Sequence, residues 1–232
     1  MVADNRSERL VTLTMPRSPT SEAYRTLRTN LEFSSMDKPI ETMVVTSPGP
    51  DEGKSTTLAN LAITLAQAEK EVILVDCDLR RPSQHEIFGL SNAVGVTTMI
   101  VDDAAMRDPP LLDSGVAGLR VLPSGPLPPN PSELVGSRRM GEIMTALSER
   151  SDIVLFDAPP IIAVTDAAVI ASRVDAVLLV IKAGATKRGE AKKAKELLEK
   201  VNAHLVGAVL NNTKIDTSYY RYYSEKKKHL SG

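Results

Sequence analysis

The sequence predicts an α/β fold in which a largely parallel sheet is flanked by helices on both faces. Three observations carry that expectation. Beyond about residue 40, short runs rich in Val, Ile and Leu alternate with stretches of helical periodicity. These runs are apolar throughout instead of alternating with polar residues, which suits strands buried on both faces. A Gly-Lys-Ser turn follows the first of them, at the strand end where such sheets hold their ligands.

In chain order, strands are expected at 42–47, 71–76, 119–123, 152–157, 175–181 and 205–211, and helices near 54–68, 131–149, 164–172 and 187–202. Within 54–68, Leu58, Leu61, Ala62 and Leu65 recur at helical spacing. Strands alternating with helices imply right-handed crossovers. The chain divides into residues 1–40, 41–215 and 216–232. In the first part, Ser18-Pro19-Thr20 opens a helix over 20–34 that lies outside the core. That helix carries Tyr24, Leu27 and Leu31 on one stripe and Glu22, Arg25 and Arg28 on a neighbouring face. The last part is polar and aperiodic and reads as a flexible tail. Residues 123–133 (PSGPLPPNPSE) form a proline-rich loop inside the domain, too rigid for an ordinary linker.

An apolar content of 42% over 232 residues suits one substantial core. A formal net charge of −1 gives no reason to expect nucleic acid or an anionic membrane as partner, and Lys226, Lys227 and Lys228 are too few to change that. The single cysteine, Cys77, excludes an internal disulfide and fits a reducing cytosol. The first ten residues lack the apolar core of a secretory signal, and the apolar region 161–185 is broken by Asp166, Arg173, Asp175 and Lys182. The chain is therefore expected in the cytoplasm. If it works at a membrane, another protein holds it there.

Residues 50–56 (Pro50, Asp51, Glu52, Gly53, Lys54, Ser55, Thr56) read as a loop for the phosphates of a nucleotide. Backbone N–H groups at a helix N-terminus point at the anion, and Gly53 lets the chain approach closely. Lys54 adds a positive charge, and Ser55 can place a hydroxyl on Mg²⁺. Pro48 stands where the motif's first glycine belongs. The second strand ends in Asp76-Cys77-Asp78, which puts two carboxylates on one side and Cys77 on the other, buried face. Carboxylates there can hold a Mg²⁺ shell or accept a proton from an attacking hydroxyl. The strand at 152–156 ends in Asp157, the usual form of a further Mg²⁺ carboxylate in nucleotide hydrolases. His85, His204 and His229 share no metal-ligand spacing.

Four of the chain's 5 tyrosines, Tyr219, Tyr220, Tyr222 and Tyr223, stand together in the polar tail. Exposed tyrosines in a chain with a nucleotide site suggest phosphate acceptors, each gaining about −1.5 to −2 charges when modified.

With these pieces in place the chain resembles the bacterial tyrosine kinases of capsular and exopolysaccharide assembly, over roughly residues 18 to 223. It looks most like the stand-alone kinase subunits. The likeness rests on the phosphate loop, on Asp76-Cys77-Asp78-Leu79-Arg80-Arg81-Pro82 as the Walker A′ element, and on Phe156-Asp157-Ala158-Pro159-Pro160 as Walker B. The loop from Ser124 to Leu134 and the tyrosine cluster complete it. The resemblance implies a P-loop NTPase-type fold and transfer of the ATP γ-phosphate to tyrosine, leaving ADP. Lys54 would contact the phosphates, and Ser55, Asp78 and Asp157 would serve Mg²⁺. Asp76 is favoured as the base, and the Asn211-Asn212 pair resembles the adenine-contacting position, with Asn212 where related kinases often have arginine. Glu22-x-x-Arg25-x-x-Arg28 matches the oligomerisation motif of a ring, typically of eight copies, in which one subunit's tail enters the next subunit's site. A transmembrane activator and a cognate phosphotyrosine phosphatase are implied as partners.

Two rivals remain at this point. A partitioning-type ATPase shares the fold but carries a lysine five positions before the loop lysine, where this chain has Gly49. A non-catalytic, nucleotide-dependent scaffold for polysaccharide export would use the tail only for docking.

Overall fold

The computed structural model describes residues 9–34 and 38–213. Seven strands form one sheet: β1 (Thr42–Thr46), β2 (Val72–Asp76), β3 (Leu112–Val116), β4 (Leu119–Leu122), β5 (Ile153–Asp157), β6 (Ala176–Lys182) and β7 (Leu205–Asn211), in the order β3-β4-β2-β5-β1-β6-β7. All neighbours are parallel except β3 and β4, which form an antiparallel hairpin. The helices among the described residues are α1 (Val11–Thr14), α2 (Pro19–Ser34), α3 (Lys54–Ala66), α4 (Gln84–Phe88), α5 (Val96–Val101), α6 (Asp103–Arg107), α7 (Pro131–Gly136), α8 (Arg138–Ser148), α9 (Asp166–Ala171) and α10 (Arg188–Lys200).

The uniformly apolar strands lie where burial on both faces demands them. Every residue of β2 and β5 is buried. Side chains alternate between two cores, one on each face of the sheet. Val44, Ile73, Val75 and Phe156 meet Met140, Ile143 and Leu147 of α8, with Ala194 and Leu198 of α10. Met43, Val45, Leu74 and Leu155 meet Leu58, Leu61 and Leu65 of α3. Each such leucine contributes about 1.5–3 kcal/mol by leaving water. Cys77 is fully buried in the first core, as its strand position predicts.

Several elements differ from expectation. The helix expected over 131–149 is two, because Ser137 leaves helical geometry and its Oγ accepts from Met140 N at 3.1 Å as the cap of α8. The hairpin strand β3 (LDSGV) was not foreseen: its polar, glycine-containing sequence sits at the sheet edge, where burial is incomplete. Helices α4 to α6 have five or six residues each, too short to show a period.

The N-terminal segment is not separate from the core. Leu10 and Leu31 join the cluster around α3. Asn60 of α3 accepts from Thr12 N at 3.0 Å and Thr12 Oγ1 at 2.8 Å, and its amide donates to Arg9 O at 2.7 Å. The segment thus braces the helix whose first turn carries the phosphate loop. No helix among the described residues is long and apolar enough to cross a membrane.

Candidate active site

The strand order places the candidate residues side by side. Because β5 lies between β2 and β1, their C-terminal ends are adjacent, with Asp76 opposite Asp157 and Val45 opposite Asp157 in register. The chain leaves β1 through Ser47–Gly53 and enters α3 at Lys54. Gly53 adopts φ +86°, and a Cβ there would strike the side-chain amide of Asn211, so two separate constraints require glycine. The N–H groups of Gly53, Lys54, Ser55 and Thr56 donate to nothing among the described residues. Four free donors at the N-terminus of a thirteen-residue helix make an anion cradle. They open on a cleft of about 790 Å³ lined also by Asp78, Arg80 and Arg81.

Lys54 reaches across this cleft. Its Nζ lies 3.0 Å from Asp78 Oδ2, 3.0 Å from Asp157 Oδ1 and 3.2 Å from Ser55 Oγ. Burial alone would lower the lysine's pKa, but the carboxylates of Asp157 and Asp78 outweigh it and hold the pKa above the ordinary value. Asp157 is fully buried, and its second oxygen accepts from Gln84 Nε2 at 2.8 Å.

Asp76 is answered differently. Its Oδ1 accepts from Asp78 N at 3.2 Å and its Oδ2 from Ser83 N and Gln84 N, both at 2.8 Å. Burial, and then the nearby charge of Asp157, push its pKa up to about 8 against these amides. The two aspartates of the Asp-x-Asp pair therefore diverge. Asp78 turns to Lys54 and the cleft, while Asp76 turns inward to organise residues 78–84.

The CobQ/CobB/MinD/ParA nucleotide-binding domain family (CbiA) matches residues 43–230. Tyrosine-protein kinase YwqD of Bacillus subtilis (strain 168) is 43% identical over 96% of this chain and 95% of that protein. Putative tyrosine-protein kinase CapB of Staphylococcus aureus is 42% identical over 90% of this chain and 92% of that protein. The crystal structure of the chimerical protein CapA2B2 superposes with a TM-score of 0.85 at 38% identity, covering 90% of this chain and 91% of that one. The chain belongs to the bacterial tyrosine kinases.

In this bacterial tyrosine kinase the structure brings together Gly53, Lys54, Ser55, Asp78 and Asp157, with Asp76 directly behind them. Asn211 lies beneath the loop, its Nδ2 donating to Glu52 O at 3.0 Å. The Glu52 side chain accepts from Gly49 N, Lys182 N and Thr186 Oγ1. On α2, Glu22 and Arg25 form an exposed pair at 2.7 Å, but Arg28 points inward, its Nη1 donating to Thr64 O at 2.7 Å and its Nε 3.7 Å from Glu32. Tyr219, Tyr220, Tyr222 and Tyr223 lie outside the described residues.

Two groups at the site gave little signal in the sequence. Gln84 is fully buried and ties Ser55 O (3.2 Å) to Asp157; a lone glutamine in a turn announces nothing. Arg80 Nε donates to buried Asp166 at 3.0 Å and its Nη2 to Ser132 Oγ at 2.7 Å, while Ser132 donates to Asp166 at 2.7 Å. Arg80 and Ser132 fall within recognisable motifs, but Asp166 was legible only as a charge interrupting an apolar run.

The residues present fit a nucleotide and a magnesium ion. Free amides and a lysine match phosphate oxygens, and one hydroxyl with two carboxylates is an all-oxygen donor set.

Proposed function

We propose that this tyrosine kinase binds ATP at the Gly53–Thr56 cradle and transfers its terminal phosphoryl group to the tyrosines of its own tail, in trans. The observation that carries this is the convergence of Lys54, Ser55, Asp78 and Asp157 within 3.2 Å under four free backbone donors. Phosphoryl transfer asks mainly for alignment and charge neutralisation, and this arrangement supplies both. Ser55, Asp78 and Asp157 would hold Mg²⁺, which supplies positive charge to the phosphates when bound. Lys54 gives up its carboxylates to pair with phosphate, and the cradle fixes the phosphates by hydrogen bonds.

The proton of the incoming tyrosine needs an acceptor that can be reached from the cleft. Asp76 was the expected base, yet its carboxylate is fully buried and both its oxygens accept backbone N–H groups of residues 78–84. Asp78 also has both oxygens engaged, Oδ1 accepting from Arg81 N and Oδ2 from Lys54 Nζ, both at 3.0 Å. It lines the cleft, however, and its lysine partner is the group that turns to phosphate. We therefore assign proton acceptance to Asp78 and treat Asp76 as its support. Asn211 sets the loop from below and borders the adenine position.

The acceptors are Tyr219, Tyr220, Tyr222 and Tyr223, and the exposed Glu22 and Arg25 mark the contact of a ring homo-oligomer, an octamer. Residues 1–40 then act as the assembly segment, 41–215 as the kinase domain and 216–232 as the substrate tail. A cytoplasmic kinase held at the membrane by a transmembrane activator, opposed by a phosphatase and controlling polysaccharide polymerisation and export, completes the reading. Incubation with Mg-ATP followed by detection of phosphotyrosine tests it. Phosphate release without modified protein would instead indicate a partitioning-type ATPase, and no turnover a scaffold.

A further inference from the structure

The phosphate loop is fastened from behind by a carboxylate. Glu52 is only 6% exposed, and its Oε1 accepts from Gly49 N at 2.8 Å. Its Oε2 accepts from Lys182 N at 3.1 Å and from Thr186 Oγ1 at 2.8 Å. Both backbone donors lie off the cradle, at the start of the loop and at the end of β6. Lys182 Nζ also donates to Asp51 O at 3.2 Å, and Asn211 donates to the carbonyl of Glu52 itself. The crest of the loop is therefore tied to the ends of two strands that take no other part in the cradle.

Burying this carboxylate is costly unless its bonds are made, and here a hydroxyl and two amides make them without a cation. The neighbouring Asp51, whose carbonyl accepts from Lys182 Nζ, stands at φ +56°, a left-handed backbone costing about 1 kcal/mol or more for a residue other than glycine. A carboxylate and a strained neighbour, kept in place together, point to a shape maintained for a purpose. The motif's first glycine is also absent, since Pro48 occupies its place.

We propose that Glu52 and Thr186 are positioning residues that staple the phosphate loop to the turn after β6, so that its free amides are aimed before nucleotide arrives. This deepens the nucleotide-binding reading above and rests on it. Without the staple, binding must also order the loop, which weakens affinity. Once nucleotide is bound the cradle is the same, so the saturated transfer rate is retained.

The test uses the full chain as wild type, Thr186→Val, Thr186→Ser and Glu52→Gln. Binding of a fluorescent ADP analogue with Mg²⁺ is measured alongside KM for ATP and the maximal rate of tail phosphorylation. Thr186→Val, at equal size, removes the hydroxyl that donates to Glu52 and accepts from Lys182 N at 3.0 Å. It should bind roughly five- to twentyfold more weakly and raise KM alike, with the maximal rate within about twofold. Thr186→Ser restores the donor and should return close to wild type, while Glu52→Gln should lose at least as much affinity as Thr186→Val. A merely structural role would lower the maximal rate and leave KM unchanged. Either that pattern, or wild-type binding and KM in Thr186→Val, overturns the staple. Failure of the wild type to bind nucleotide would overturn the underlying reading instead.

Discussion

Asp76 and Asp157 stand opposite one another in parallel register at the ends of β2 and β5, both fully buried. Two carboxylates so placed cannot both remain charged without compensation. Asp157 receives an ammonium and an amide from Lys54 and Gln84, whereas Asp76 receives only backbone N–H groups. That inequality divides their roles.

It has a consequence for stability. Unfolded, Asp76 titrates near 3.8; folded, burial and then Asp157 raise it to about 8. Between these values the native protein holds a proton that the unfolded chain has released. The contribution of Asp76 is therefore fully present below the unfolded pKa and is lost as pH rises through the folded one. The urea midpoint of the nucleotide-free wild type should fall relative to that of Asp76→Asn from about pH 5 to about pH 8.5. Parallel pH profiles would show that Asp76 is ionised in the fold.

Activity should separate the same pair. Asp78→Asn is expected to lower the maximal transfer rate by about 10²- to 10⁴-fold with the fold intact. Asp76→Asn should retain more of the rate, because that side chain only supports the turn. Reversal of this order in single-turnover kinetics would return the base role to Asp76.

Removing the lysine leaves Asp78 and Asp157 without their cation. Lys54→Met should abolish tail phosphorylation and also destabilise the nucleotide-free protein by about 3–5 kcal/mol. Denaturant unfolding measures the second effect, and an unchanged midpoint would contradict the ion-pair geometry.

The legible part of this molecule was what sequence neighbours encode. Apolar runs gave the strands of the buried sheet, and the Gly-Lys-Ser turn gave the cradle. The order β2-β5-β1, which sets Asp76 against Asp157, is a long-range pairing that no local pattern states. Likewise nothing in a Gln84 or a Thr186 signals its distant partner. The edge strand β3 escaped because an edge can be polar. Arg28 shared a helical face with Glu22 and Arg25 on paper, but the next helix supplies the Thr64 carbonyl that turns it inward.

That difference makes the α2 surface testable. Glu22→Ala with Arg25→Ala should shrink the assembly on a sizing column while moving stability by less than about 1 kcal/mol, as for an exposed pair. Arg28→Ala should cost about 1–3 kcal/mol besides, since it gives up a bond to a buried helix. An unchanged elution volume for the double variant would remove Glu22 and Arg25 from the contact.

Mass spectrometry of the intact protein after Mg-ATP treatment, with tail peptides mapped, tests the central claim most directly. The account predicts stepwise addition of phosphate, up to four groups, confined to Tyr219, Tyr220, Tyr222 and Tyr223. Replacing those four by Phe should remove most of the label. An unmodified mass with ATP consumed, or a Phe variant labelled as strongly as the wild type, would contradict it.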